Sequence, residues 1–184
     1  RAIATAIVPC GALQSFDTFA VAIALPTMMG AFSATITEIS WVLTAYLVAA
    51  AVFTPLFGWA VRRVGRRRLL LGVLIGFSIC TALVATAATL HEVIALRFMQ
   101  GIFSAGLNPL SQQVIMAAVP RDEHSRAFSW MTTGRMTGVT VGPIIGGLMT
   151  EHFGWNYVFW FNFPIVIMAL TMAWRHVPDG GKVE

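Results

Sequence analysis

Six long apolar runs, separated by short polar segments, follow one another along the whole chain. A helix that crosses a membrane needs roughly 20 mainly apolar residues, and each run is about that long. The pattern therefore predicts an all-α membrane protein with six transmembrane helices in a single unit over residues 1–178. Residues 179–184 would begin a cytoplasmic linker. We place the spans at about 4–29, 39–61, 69–90, 93–118, 126–150 and 155–174.

The composition agrees with this pattern and excludes other classes of protein. Hydrophobic residues make up 57% of the chain and charged residues 11%, whereas a soluble domain carries about 25% charged residues. A soluble enzyme, a disordered tail and a nucleic-acid module are excluded. Cys10 and Cys80 lie within apolar runs, and no Cys and His cluster has the spacing of metal ligands. We expect no metal, no cofactor and no nucleic-acid partner.

Basic residues fall almost entirely on one side of the predicted spans. The segments 30–38, 91–92 and 151–154 hold no Lys or Arg, and ten of the twelve basic residues lie on the opposite side. The positive-inside rule makes that side cytoplasmic. Because six is an even number, both termini are expected there, with the spans in the inner (cytoplasmic) membrane. The ten residues are Arg1, Arg62, Arg63, Arg66, Arg67, Arg68, Arg121, Arg126, Arg175 and Lys182.

This orientation predicts a labelling pattern. In intact cells, an impermeant thiol reagent should modify a cysteine at Ser33 but not one at Arg66, in an otherwise cysteine-free background. The first position lies in a predicted outer segment and the second in the basic cytoplasmic segment. Labelling of both positions in permeabilised cells is the control. The reverse pattern in intact cells would overturn the orientation.

Asp17 is an acidic residue near the middle of span one, where its short side chain cannot reach water. An ionised group at that depth costs on the order of 3 kcal/mol, so it should face protein or a wet cavity. A carboxyl whose neighbours balance its two protonation states can load and release a proton during a transport cycle. We therefore predict that Asp17 is a proton-coupling group. The alternative is a permanently paired structural carboxylate.

Span four carries a polar stripe. Steps of three and four residues place these side chains on one helical face, and a polar stripe through a membrane helix usually faces the bundle interior. The stripe consists of Arg97, Gln100, Gly101, Ser104, Asn108 and Gln112. The predicted substrate cavity is lined by Gln14, Gln100, Ser104, Asn108 and Gln112.

Two arginines are candidate partners of Asp17 in proton coupling. Arg97 lies about one turn from the outer end of span four, where an arginine can also snorkel to the surface. Arg135 lies deeper, in span five, and could serve as the counter-ion of Asp17 or attract an anionic substrate group. The sequence leaves these alternatives open.

Span five contains glycines four residues apart together with a proline. Such glycines flatten one helix face and allow another backbone to approach closely, so we predict a packing face. The residues are Gly134, Gly138, Gly142, Pro143, Gly146 and Gly147.

Four motifs together span nearly the whole chain. They are Phe16-Asp17-Thr18 with Ala24-Leu25-Pro26, the segment from Gly58 to Arg68, Arg97-Phe98-Met99-Gln100-Gly101, and Gly138 to Gly147 followed by Phe161-Asn162-Phe163-Pro164. These motifs resemble the N-terminal half of major facilitator superfamily transporters, in particular the fourteen-span drug:proton antiporters of the EmrB/QacA type. The chain departs from the family's loop signature at Arg62, where the family has an aspartate that pairs across the two halves.

The resemblance implies proton-coupled efflux of amphipathic small molecules by alternating access, driven by the proton gradient. Implied partners are a small-molecule substrate, the lipid bilayer, a C-terminal transporter half and, in a double-membrane bacterium, a periplasmic adaptor protein. Because the chain opens with Arg1, we expect a fragment of a longer protein. Gating and helix-packing roles are implied for Gly58, Gly65, Arg66, Gly138, Gly142, Pro143, Gly146 and Gly147.

Two other functions compete with efflux. A facilitator or symporter for a polar nutrient, such as a sugar or an organic acid, would use the same six spans. A non-transporting scaffold module would not need the buried charge of Asp17. An enzyme is not expected, because no nucleophile–base pair, phosphate loop or metal cluster is present in the sequence.

Overall fold

The computed structural model describes residues 2–176 of the chain and the side chains of residues 8–175. The predicted all-α class with six helices is confirmed within that range. A short 3-10 helix, Arg121–Glu123, precedes the fifth helix. The predicted linker at 179–184 lies outside the described residues, as do Arg1 and Lys182. The helices are α1 (Ala2–Ala31), α2 (Ile36–Val64), α3 (Arg66–Ala85), α4 (Leu90–Ala118), α5 (His124–His152) and α6 (Asn156–His176).

A capping box sets the start of α4. The Thr89 hydroxyl accepts a hydrogen bond from the Glu92 backbone N–H, and the Glu92 carboxylate accepts one from the Thr89 N–H, which satisfies two backbone donors at once. The predicted end of span three near residue 90 is therefore wrong, since α3 ends at Ala85. The connection predicted at 91–92 lies at residues 86–89 instead, because His91 and Glu92 belong to the first turn of α4; its outer location stays a prediction.

The first helix lies at the centre of the bundle. It packs most extensively against α5 and also against α6, α4 and α2, while α4 packs against α2 and α3. Within the described part of the chain, four helical segments are long and apolar enough to cross a membrane: Val8–Ala31, Ile36–Val64, Arg66–Ala85 and Asn156–Arg175. The remaining two helices, α4 and α5, carry the polar stripe and the glycines. Both of these helices pack against α1.

Candidate functional site

Asp17 of α1 and Arg97 of α4 form an ion pair inside the bundle. Arg97 Nη1 lies 2.6 Å from Asp17 Oδ2, and both side chains are 0% exposed. Taking either charge out of water alone would cost several kcal/mol, and good geometry with further hydrogen bonds offsets that cost. The pair therefore depends on both partners and on the polar groups around them.

Amide and hydroxyl groups from three other positions complete this cluster. Asp17 Oδ1 accepts hydrogen bonds from Asn162 Nδ2 (2.9 Å) and Gln100 Nε2 (3.3 Å). The same Gln100 amide nitrogen donates to Thr81 Oγ1, and Gln100 Oε1 accepts from Arg97 Nη1. All five side chains are fully buried. We call these five residues the charge cluster; it joins α1, α3, α4 and α6.

Aromatic rings enclose the guanidinium group of Arg97. Its Cζ atom lies 4.2 Å from the ring centroid of Tyr46 and 5.9 Å from that of Phe159, within the range of cation–π attraction. Its Nε donates to the backbone carbonyl of Val42 at 3.4 Å. The alternative in which Arg97 snorkels to the outer surface is therefore wrong, because the ion pair and the rings hold the side chain inside.

Arg135 does not reach the charge cluster. Its side chain is exposed on α5, and a Cβ added at Gly11 of α1 would lie 3.0 Å from Arg135 Cγ. The alternative in which Arg135 is the counter-ion of Asp17 is wrong, since Arg97 takes that place. Attraction of an anionic substrate group by Arg135 stays a prediction.

A second hydrogen-bonded chain runs from half-buried amides to the hydroxyl of Tyr46, whose ring contacts the charge cluster. Asn108 Nδ2 donates to Gln14 Oε1 (2.6 Å), and Gln14 Nε2 donates to Ser104 Oγ (3.0 Å). The Ser104 hydroxyl lies 2.6 Å from the hydroxyl of Tyr46, whose ring packs under Arg97. We call Gln14, Ser104 and Asn108 the amide chain. It brings together three of the predicted cavity residues on α1 and α4.

Two other predicted cavity residues lie apart from the amide chain. Gln100 is fully buried in the charge cluster, and Gln112 is exposed and makes none of these hydrogen bonds. Sequence reasoning assigned no role to Tyr46, Thr81 or Asn162. The position of Asn162 inside the apolar sixth span was a signal that could have identified it, because polar groups at membrane depth are usually functional. No such signal marked Tyr46 or Thr81, since aromatic and hydroxyl residues are common inside apolar runs.

The glycines of α5 lie against the backbone of α1. A Cβ at Gly138 would lie 2.6 Å from the carbonyl oxygen of Ala12, and one at Gly146 would lie 2.8 Å from Ala20 Cα. At Gly142 the nearest atom, the carbonyl oxygen of Phe16, would be 3.2 Å away. Close contact of this kind requires residues without side chains. Because Phe16 precedes Asp17, this contact places α5 against the part of α1 that carries the charge cluster.

The remaining predicted gating and packing residues lie in varied surroundings. Gly65 joins α2 to α3 with φ +92°, a conformation that glycine adopts without strain. Arg66 begins α3 and is half-buried, as is Pro143 inside α5. A Cβ at Gly58 would meet nothing within 4 Å, and one at Gly147 would come no closer than 3.7 Å to Ile23.

Comparison with known proteins gives one family match and many relatives. The model of the Major Facilitator Superfamily matches residues 7–184. The putative multidrug resistance protein MdtD of Cronobacter sakazakii is 32% identical over 167 residues, which cover 91% of this chain and 36% of that protein. The fatty acid resistance protein FarB of Neisseria gonorrhoeae is 31% identical, with 90% of this chain and 32% of that protein covered. The chain spans about a third of the length of these relatives.

Solved structures share the fold at low sequence identity. The crystal structure of a D-xylose-proton symporter superposes with a TM-score of 0.84 at 16% identity, covering 97% of this chain and 48% of that one. The inward-open xylose transporter XylE from E. coli gives a TM-score of 0.83 at 18% identity, with the same coverage. The described bundle therefore has the fold of about one half of such chains.

Proposed function

Because this chain belongs to the major facilitator superfamily, we propose that it is the N-terminal half of a proton-coupled transporter that exports amphipathic small molecules across the inner membrane. The observation that carries the proposal is the fully buried pair of Asp17 and Arg97 within a polar cluster. Relatives named for multidrug and fatty acid resistance support export. A scaffold would gain nothing from burying this charge.

The charge cluster offers a mechanism for proton coupling. When Asp17 takes up a proton, its Oδ2 atom loses the charge that attracts Arg97, and the tie between α1 and α4 weakens. Proton binding thereby favours the conformation in which these helices separate, and proton release favours the paired conformation. Asn162 and Gln100 donate to the ionised carboxylate and therefore stabilise the paired state.

The substrate would bind beside the amide chain. Gln14 and Asn108 are half-buried, so they offer polar groups at the edge of the bundle without opening the charge cluster. Exposed Gln112 and Arg135 extend this polar surface, with Arg135 attracting an anionic substrate group. A C-terminal half would form the opposite wall of the cavity, and an adaptor protein would carry the solute onward in a double-membrane bacterium.

Symport of a polar nutrient is the second candidate function. The two amides of Gln14 and Asn108 are suited to the hydroxyl groups of a sugar, and the fold is shared with proton-coupled xylose symporters. The direction of solute movement under a pH gradient separates the two functions. Export against inward proton flow supports antiport, and uptake with protons supports symport.

Asp17→Asn should abolish pH-driven efflux by the full-length transporter that contains this half. Asparagine keeps the volume of the side chain but cannot exchange a proton, so proton flow and solute flow separate. The measurement is solute efflux from vesicles under an imposed pH gradient, at matched protein levels. Asp122→Asn makes the same chemical change at an exposed position of the 3-10 helix and should pump normally. An unchanged rate and pH dependence in Asp17→Asn would place the coupling group elsewhere.

A further inference from the structure

The exposed faces of α3 and α6 form one apolar wall, which we call the α3–α6 wall. The two helices pack side by side, and neither carries an Asp or Glu among its described residues. On α3 the exposed side chains include Ile75, Ile79 and Leu83. The exposed face of α5 differs, since it mixes the hydroxyl groups of Thr132 and Thr140 with apolar side chains such as that of Ile144. The α3–α6 wall is therefore a face suited to lipid.

An arginine lies at the same end of each helix of this wall. On α3, exposed Arg68 precedes Gly72 by four residues and Ile75 by seven, which places all three on one stripe. On α6, exposed Arg175 follows Ile167 and Thr171 at steps of four. Each guanidinium group thus stands at the end of an exposed, mainly apolar stripe.

A hydrogen bond brings these two ends together. Arg67 Nη2 donates to the backbone carbonyl of Trp174 at 2.7 Å, so the start of α3 is tied to the end of α6. Trp174 itself is 64% exposed, as expected of an aromatic ring at the level of lipid headgroups. Arg68 follows Arg67 directly and Arg175 follows Trp174 directly, so both cations flank the same junction.

We propose that this junction binds the phosphate of an anionic phospholipid, with Arg68 and Arg175 on the headgroup and the α3–α6 wall against the acyl chains. Arginine binds phosphate through charge-assisted hydrogen bonds, and basic clusters next to membrane helices attract anionic lipids. A soluble anion would bind the two arginines but would leave the apolar α3–α6 wall uncovered. A second apolar helix would cover the wall but leave the arginines without an anion. An anionic lipid would bind the arginines through its phosphate and cover the α3–α6 wall with its acyl chains.

The test is lipid retention by the purified full-length protein in detergent, measured by native mass spectrometry. Added phosphatidylglycerol should stay bound where phosphatidylcholine does not. The double variant Arg68→Gln/Arg175→Gln should bind phosphatidylglycerol roughly 25-fold more weakly, at about a fivefold factor for each basic residue. Arg68→Lys/Arg175→Lys keeps both charges and should retain much of the binding, which guards against a misfolded glutamine variant.

A matched control separates a defined site from general charge. Arg62→Gln/Arg121→Gln removes the same charge from two exposed positions, one in the last turn of α2 and one in the 3-10 helix, that belong to neither α3 nor α6, and should retain the lipid. Equal losses in the two double variants would overturn the site. Displacement of the lipid by inorganic phosphate alone, or a lipid-free dimer that occludes the wall, would contradict it as well.

Discussion

Asp17→Asn should lower the free energy of unfolding by about 3–5 kcal/mol, because removing one partner of a buried pair leaves the other charge uncompensated. Arg97 stays charged under all ordinary conditions, and it is fully buried between Tyr46 and Phe159. Its remaining partners, Gln100 and the Val42 carbonyl, supply dipoles but no countercharge. The measurement is denaturant titration in detergent micelles.

The reverse single variant and the double variant complete a thermodynamic cycle. Arg97→Gln should cost less than Asp17→Asn, since a carboxyl left without its partner can take up a proton and become neutral. Asp17→Asn/Arg97→Gln removes both charges and should be more stable than Asp17→Asn alone. Asp122→Asn, at an exposed position, should leave the free energy of unfolding unchanged. If Asp17→Asn and the double variant are equally stable, the buried charge of Arg97 does not determine the stability of this bundle.

The double variant also separates the two hypotheses for Asp17. If the carboxyl is a proton-coupling group, the double variant folds and inserts but does not couple solute movement to the pH gradient. If it is only a structural partner of Arg97, the neutral pair restores transport along with stability. The cycle therefore tests a role in transport independently of a role in folding.

The polar pattern of the sequence pointed to Asp17 and the stripe of span four, but it did not predict which side chains meet, and it missed Tyr46, Thr81 and Asn162. Asp17 and the stripe on span four are visible because charge and period appear in the sequence itself. The sequence, however, offered both Arg97 and Arg135 as partners of Asp17 and left the choice open. The choice between them depends on which helix faces Asp17 across the bundle, and that is a property of packing rather than of either span.

The sequence contains a signal for the start of α4, but the prediction of the spans gave more weight to hydropathy. Thr89 and Glu92 have the spacing of a capping box, which marks the start of α4 at Leu90. Because the residues around Thr89 are mainly apolar, the prediction from hydropathy extended the third span to about residue 90. Local hydrogen bonding decided the boundary, because four unsatisfied backbone N–H groups at a helix start need partners.

Substitutions along the glycine face of α5 should fall into a graded series. Alanine in place of glycine stabilises a helix interior by up to about 1 kcal/mol, and crowding in a packed interior costs about 1–3 kcal/mol. At Gly147 the new Cβ meets only Ile23 at 3.7 Å, so Gly147→Ala should be neutral or slightly stabilising. At Gly142 the nearest atom is at 3.2 Å, and the two effects should nearly cancel.

Gly138→Ala should be the most damaging of the three alanine variants, because its Cβ would lie 2.6 Å from the Ala12 carbonyl oxygen and 2.9 Å from the Phe16 backbone nitrogen. Backbone atoms cannot move aside without shifting α1, and α1 carries Asp17. Gly142→Leu should insert normally yet block transport, since a bulky side chain forces α1 and α5 apart. Melting temperature in detergent and efflux from vesicles measure the two effects, with Gly147→Ala as the matched control. Equal stability of Gly138→Ala and Gly147→Ala, with normal transport by Gly142→Leu, would reduce these glycines to ordinary positions on a lipid-facing helix.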